Sequence, residues 1–300
     1  MSSTIITHFS KLDKDHNVIM LTDNVMLESA LFIQQECIDI INHFTVINLD
    51  KDSYFNDIYS LKPEDLLILH IGLDSWIGKH RQLAYAFSKP SGVSSKYICI
   101  RPTITKQALL EGLNTPLESI QAILCKYSKL PLNHRIHASS KSGTDISFTL
   151  TSGKVIPYTA HKAGQNAYLP PAEISYDIAL GSANGFIAAD LTVGELRVNG
   201  VLHDTFGLVN KPVFLEIING ELVDICGDAI ALRLKEKLWK LNRNCRKVIE
   251  FGIGLSQMSP SGIIGIDESI AGTCHFGFGT GAGNDAAIHL DFVIRDFALV

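Results

Sequence analysis

The region from residue 250 onward concentrates side chains that can bind a metal ion. Glu250 and Glu268 are followed by His275, and then by the segment His289-Leu290-Asp291. Carboxylate oxygens and neutral imidazole nitrogens are the ligands that proteins use for zinc, manganese, cobalt and ferrous iron in catalytic sites. The combination therefore predicts a metal site.

The surroundings of these residues strengthen this prediction. Apolar residues and glycines flank them, and the stretch after Glu250 contains one arginine, Arg295, and no lysine. Burying a carboxylate in such a stretch is costly unless a positive charge pairs with it. Because basic side chains are scarce here, a metal ion is the expected partner.

The spacing of the polar residues indicates β-strands. Residues i and i+2 of a strand point to the same face, so His289 and Asp291 can reach one ion while Leu290 packs on the other side. His275 has its own alternating stretch, with Cys274 and Phe276 on the opposite face. A lone histidine is more often a hydrogen-bonded core residue than a ligand, but this alternation favours ligation.

Composition limits the class of protein. The chain has 300 residues, 46% of them apolar and 19% charged, which is typical of a soluble globular protein. The formal charge of −5 gives no reason to expect a nucleic-acid partner. The six cysteines form no CxxC pair, and no stretch resembles a signal peptide or a membrane span, so we expect a cytoplasmic protein with reduced thiols.

The first part of the chain alternates apolar runs with helical patterns. We predict an N-terminal parallel α/β domain over residues 1–133, because strands that alternate with helices form parallel sheets. The predicted strands are 17–22, 44–49, 65–70 and 97–100, and the predicted helices are 26–44, 79–87 and 106–130.

The pattern changes near residue 134 to alternating strands and turns. The dipeptide Asn219-Gly220 between apolar runs is a strong hairpin signal. We therefore predict a β-rich α+β domain over residues 134–300, which binds the metal. It includes strands at 146–150, 185–190 and on both sides of this hairpin, and a helix at 228–241.

Five short motifs, in this order and spacing, resemble those of the aminopeptidase T family of metallopeptidases. They equally resemble the related 2,5-dihydroxypyridine dioxygenases. The motifs are Gly143-Thr144-Asp145-Ile146-Ser147-Phe148, Leu169-Pro170-Pro171-Ala172-Glu173-Ile174, Glu250-Phe251-Gly252-Ile253-Gly254, Asp267-Glu268 through Gly272-Thr273-Cys274-His275, and His289-Leu290-Asp291.

The resemblance implies a set of site residues for each kind of enzyme. In the peptidases it implies a two-metal site with Glu268 as a further ligand or base, and zinc, cobalt or manganese as the metal. In the dioxygenases it implies one ferrous ion held by two histidines and one carboxylate. The peptidase ligands correspond to Glu173, Glu250, His275, His289 and Asp291, and the dioxygenase ligands to the last three of these.

We expect hydrolysis of a peptide or amide bond at an amino terminus, with Glu250 or Glu268 as the proton shuttle. Three glutamates accompany the histidines, whereas a ferrous dioxygenase needs one carboxylate. The chain departs from the peptidases in a compact loop before His289 and in the residues that follow Gly254. A ring-cleaving dioxygenase and a non-catalytic peptide-binding relative therefore remain alternatives. The resemblance also implies a homodimer.

Overall fold

The computed structural model describes residues 5–52, 58, 60–87, 94–102 and 104–300. The chain divides into two compact units. Unit 1 comprises Met1–Thr115 and Ile156–Ala172, and unit 2 comprises Pro116–Val155 and Glu173–Val300. The predicted division near residue 133 is a single cut, and it falls within unit 2. The two units are not separated by one cut, because a later strand, at 166–169, pairs with the first sheet and so belongs to unit 1.

The elements of the described residues are numbered in chain order. The helices are α1 (Leu27–Cys37), α2 (Arg81–Phe87), α3 (Lys106–Leu113), α4 (Leu117–Tyr127), α5 (Ala229–Leu238) and α6 (Ile264–Asp267). The strands are β1 (Asn17–Thr22), β2 (His43–Asn48), β3 (Leu66–His70), β4 (Lys96–Ile100), β5 (Arg135–Ser140), β6 (Asp145–Val155), β7 (Asn166–Leu169), β8 (Glu173–Ile178), β9 (Asn184–Ala189), β10 (Thr192–Val198), β11 (Val201–Leu208), β12 (Val213–Ile218), β13 (Glu221–Cys226), β14 (Val248–Gly254), β15 (Thr273–Gly281), β16 (Asn284–Arg295) and β17 (Phe297–Leu299).

Unit 1 contains a parallel sheet, as the alternation of strands and helices predicts. Its strand order is β2-β1-β3-β4-β7, and each neighbouring pair is parallel. The central strands β3 and β4 are buried along their whole length, which explains their continuous apolar sequence. The four predicted strands are present, whereas β7 lacks a comparable sequence signal because it has four residues.

Two predicted helices are wrong in extent. The helix predicted at 26–44 ends at Cys37, because β2 begins at His43 and must be reached by a turn. The single helix predicted at 106–130 is two helices, α3 and α4, separated near Pro116. A proline has no backbone N–H to continue a helix and pushes the preceding residue towards an extended conformation, so it can begin α4 but cannot extend α3.

Unit 2 is built on a large antiparallel sheet. Its main path runs β11-β10-β16-β15-β14-β8-β6-β9-β12-β13, with β5 and β17 branching from β6. One face of the middle strands is aromatic: Phe251 lies opposite Tyr176 and Phe276 in neighbouring strands. The ring centroids of Phe251 and Phe276 are 5.2 Å apart, and Phe148 contacts both rings. This face forms the core of the unit, so the other face is available for a site.

Tight turns join two of the hairpins. Asn219 and Gly220 connect β12 to β13 with φ values of 50° and 74°, which is the conformation expected of a type I′ turn. Ala282 and Gly283 connect β15 to β16 with φ values of 47° and 77°. The glycine-rich segment around residues 277–283 is therefore the end of one strand and a hairpin turn, and it joins two strands that carry predicted ligands.

The apolar end of the chain finds partners within unit 2. Phe292, Val293 and Ile294 of β16 are buried, and β17 pairs with β5. These contacts cover part of the apolar surface that a dimer could otherwise cover, and the homodimer stays a prediction. No described helix is long and apolar enough to cross a membrane.

Candidate metal centre

Four neighbouring strands of unit 2, β8, β14, β15 and β16, carry the predicted ligands. Glu173 begins β8, Glu250 lies on β14, His275 on β15, and His289 and Asp291 on β16. Residues opposite one another in antiparallel strands point to the same face. Gly277 lies opposite both Glu250 and Asp291. The ligands therefore meet on the face opposite the aromatic core.

Glycines make room for the ligands on this face. A Cβ atom on Gly252 would lie 2.0 Å from His275 Cε1 and 2.8 Å from Glu173 Oε2. A Cβ atom on Gly277 would lie 2.9 Å from Asp291 Oδ1 and 2.9 Å from Glu250 Cβ. Real Cβ atoms do not approach other atoms this closely, so the ligand side chains lie directly over the two glycines.

The ligands form two sets that share one residue. Glu173, Glu250 and His275 offer ligand atoms within 4.8 Å of one another, and so do Glu250, His289 and Asp291. His275 is 2% exposed, whereas His289 is 37% exposed. The set that contains His275 is therefore buried. The set that contains His289 is open to solvent, as a site that exchanges a ligand with a substrate requires.

His289 is oriented by a backbone carbonyl. Its Nδ1 lies 3.0 Å from the carbonyl oxygen of Thr280, which can only accept a hydrogen bond, so Nδ1 carries the proton in the neutral ring. The Nε2 atom is then left facing the carboxylates, 3.1 Å from Asp291 Oδ1 and 3.3 Å from Glu250 Oε2. This arrangement of one donating and one coordinating nitrogen is usual for metal-binding histidines.

Glu250 is engaged through both of its carboxylate oxygens. The Ser175 hydroxyl donates a 2.5 Å hydrogen bond to Oε1, and His289 approaches Oε2. Burial would raise the pKa of Glu250, but the His289 and His275 imidazoles and the Ser175 hydroxyl lower it to about 2. A carboxylate held so firmly ionised is suited to bind cations and is a poor proton acceptor at neutral pH.

The carboxylates in turn hold protons on both imidazoles. Burial would lower the pKa of His275, but Glu173 and two further carboxylates raise it to about 10. The pKa of His289 is raised to about 12, chiefly by Asp291 and also by Glu250, against the effect of burial. The cluster therefore attracts positive charge strongly, and protons supply it when no metal is bound.

Several buried ligand atoms lack a well-aligned hydrogen bond. Within the described residues, Glu173 Oε2, His275 Nδ1 and Asp291 Oδ1 have none. The two carboxylate oxygens face imidazoles at ion-pair distance: Glu173 Oε2 is 3.0 Å from His275 Nε2, and Asp291 Oδ1 is 3.1 Å from His289 Nε2. A divalent cation would give both carboxylates a partner of higher charge than a protonated imidazole, so the cluster suits a metal ion.

Glu268 lies beside the two sets and is a member of neither. It follows α6, which the buried carboxylate of Asp267 fixes in place, and its charge raises the pKa of His275. The Asp267 oxygens accept hydrogen bonds from the backbone amides of Ser261 and Gly262 and from the hydroxyls of Ser261 and Thr192. Glu268 is therefore held near the cluster by a rigid neighbour.

Sequence reasoning missed the residues that support the ligands. Ser175 could have been found, because it stands two positions after Glu173 on a predicted motif and so shares its face. The Thr280 carbonyl and the Asp267 carboxylate gave no such signal, since their roles depend on how the hairpin and the α6 segment fold.

The fold of the chain resembles two solved structures. It matches 2,5-dihydroxypyridine dioxygenase from Pseudomonas putida KT2440 with a TM-score of 0.65 and 14% identity, over 100% of this chain and 92% of that one. It matches AmpT from Thermus thermophilus with a TM-score of 0.59 and 14% identity, over 99% of this chain and 93% of that one. Comparison with known protein families and with curated proteins gives no match. The resemblance inferred from the motifs is thus supported at the level of the fold.

The close approach of the ligand side chains to Gly252 leads to a first prediction. Gly252→Ala should displace His275 and Glu173 and reduce the metal content of the purified protein, because the new methyl group overlaps the imidazole ring. Gly265→Ala is the matched control, since a Cβ there meets nothing within 4 Å. Elemental analysis of both variants, with circular dichroism to confirm folding, measures the effect. A folded Gly252→Ala protein with unchanged metal content would contradict it.

The raised imidazole pKa values predict that metal binding releases protons. Each ion that displaces one imidazole proton should bind roughly tenfold more tightly per unit rise in pH between pH 6 and 8, because both rings are protonated there without metal. Calorimetric titration with Mn²⁺ in two buffers of different ionisation enthalpy measures the protons released. His289→Gln should reduce their number. Heats that do not depend on the buffer would contradict the assignment.

Proposed function

We propose that the chain is a metal-dependent hydrolase that cleaves a peptide or amide bond at an amino terminus, in the manner of an aminopeptidase. The observation that supports this most strongly is the pair of ligand sets that share Glu250. A carboxylate common to two sets can bridge two ions, and paired ions recur in hydrolytic enzymes, aminopeptidases among them.

The donor atoms suit zinc, cobalt or manganese. Glu173 and His275 would hold one ion, His289 and Asp291 a second, and Glu250 both. Bound divalent ions would polarise the scissile carbonyl and acidify a water molecule. Imidazole and carboxylate ligands match all three metals, so the donor set leaves the choice among them to experiment.

Glu268 is the better candidate for the proton shuttle. Glu250 is held ionised by Ser175 and the imidazoles, with a pKa of about 2, so it accepts a proton poorly. Glu268 belongs to neither ligand set and lies close enough to raise the pKa of His275. A general base must reach the attacking water without being occupied as a ligand, and Glu268 stands beside the ligand sets and belongs to neither.

A ring-cleaving dioxygenase is the second candidate. It is favoured by the likeness in fold to 2,5-dihydroxypyridine dioxygenase and by the presence of His275, His289 and Asp291, which could form a facial triad for ferrous iron. The ligand sets speak against it, because His275 groups with Glu173, whereas His289 groups with Asp291.

A metal-exchange assay separates the two functions. Metal-free protein is supplied with Zn²⁺, Co²⁺, Mn²⁺ or, without oxygen, Fe²⁺, and is then offered aminoacyl-fluorophore amides or dihydroxylated aromatic rings with oxygen. Release of amine with zinc, cobalt or manganese is the expected result. Oxygen uptake with iron alone would overturn the hydrolase in favour of the dioxygenase. Peptide binding without turnover would favour a non-catalytic relative.

Two glutamate variants test the assigned roles. Glu268→Gln should lower kcat by about 10²–10⁴-fold and leave the metal content unchanged, because a proton acceptor is lost and no ligand is removed. Glu250→Gln should lower the metal content, because the shared ligand is weakened. Metal content and kcat are measured on the same preparations. Loss of metal from Glu268→Gln would make Glu268 a ligand and would contradict its role as the base.

A further inference from the structure

Lys154 lies on the same sheet face as the carboxylate cluster. The second half of β6 pairs with β8, so that Lys154 lies opposite Ser175, which lies opposite Gly252 of β14. Residues opposite one another point to the same face, so Lys154 points to the face of the sheet that carries Glu250. Two strand spacings, about 10 Å, separate its backbone from that of Gly252.

A glycine fixes this orientation. A Cβ atom on Gly153 would lie 2.2 Å from Cε1 of Tyr176, so the tyrosine ring covers Gly153 from the aromatic side of the sheet. Since Gly153 meets the aromatic face, the next residue, Lys154, must point to the opposite one. Its direction follows from the strand register, and this ring contact agrees with it.

Lys154 has no partner of its own in the part of the chain that the structure describes. It is exposed and makes no ion pair and no side-chain hydrogen bond there. Two other lysines of unit 2 have partners: Lys235 pairs with Asp224, and Lys240 with Glu236. An unpaired surface lysine is common by itself, so its position beside the cluster is what gives Lys154 significance.

A second basic residue on this face, Arg295, lies where a segment of chain covers the sheet. Arg295 is the single lysine or arginine in the four ligand strands, and it lies opposite Thr273. The chain covers the sheet there: the Thr273 hydroxyl donates a 2.8 Å hydrogen bond to the Ile270 carbonyl, and a Cβ on Gly254 would lie 2.2 Å from the same oxygen. Ser152 and Lys154, at the β6 side, are exposed. A bound molecule can extend in that direction.

We infer that Lys154 binds a carboxylate of the substrate and makes the site selective for short peptides with a free carboxyl terminus. The inference rests on the proposed hydrolase function. In a peptide of two or three residues, the terminal carboxylate lies about 4–7 Å from the scissile carbonyl. The flexible stem of a lysine on β6 can bring its ammonium group to that position.

Matched pairs of substrates test the inference. Alanyl-alanine and its carboxyl-terminal amide differ only in the group that Lys154 would bind. The ratio of kcat/KM for the acid to that for the amide should fall about 5- to 10-fold in Lys154→Met, the size expected for one partly exposed ion pair. Lys141→Met is the control, because Lys141 is an exposed lysine in the turn between β5 and β6. An equal ratio in both variants would overturn the inference.

A binding measurement keeps this test independent of turnover. Analogues of the two dipeptides, with CH₂–NH in place of the peptide bond, are titrated calorimetrically into manganese-loaded protein. The wild-type protein should bind the acid more tightly than the amide, and Lys154→Met should lose about 5- to 10-fold in affinity for the acid. Binding of neither analogue, or an undiminished preference in Lys154→Met, would overturn the inference. Selective binding without hydrolysis of either dipeptide would support the role of Lys154 and refute the proposed hydrolase.

Discussion

The charge balance on one face of the unit 2 sheet is the constraint on which the rest of the site depends. The alternation of side chains along β8, β14, β15 and β16 brings three carboxylates and two imidazoles together there. Like charges that face one another across strands destabilise a sheet, and buried carboxylates need a counter-charge. Protons on the imidazoles supply part of it. A divalent metal ion would supply the rest.

The same constraint explains the composition of these strands. Side chains that bind an ion need space above the sheet, so Gly252 and Gly277 stand beneath them. Glycines and charged groups contribute little to apolar burial, and the stability of the sheet must come from its other side. Phe251, Phe276 and Tyr176 supply it there, where they are buried. Ligand, glycine and aromatic residue are therefore parts of a single arrangement across neighbouring strands.

The sequence predicts the local parts of this arrangement and not the distant ones. The i, i+2 spacing of His289 and Asp291 predicts a shared face, because it depends on strand geometry alone. The pairing of β8 with β14 and of β7 with β4 joins residues far apart in the chain, and no local pattern encodes it. Pro116 is a local signal for the break between α3 and α4, because a proline cannot continue a helix, although helix-forming residues lie on both sides of it.

Glu173 gives a further reason to weigh hydrolysis above oxygenation. A facial triad of His275, His289 and Asp291 would leave it as a surplus buried charge, 3.0 Å from the imidazole of His275. A buried carboxylate without a role costs several kcal/mol, and an apolar residue would stabilise that position better. If the face holds two positive ions, they account for the position of Glu173 beside His275 and for the sharing of Glu250. Both kinds of enzyme require histidines, so the histidines do not distinguish them. The number of carboxylates favours hydrolysis.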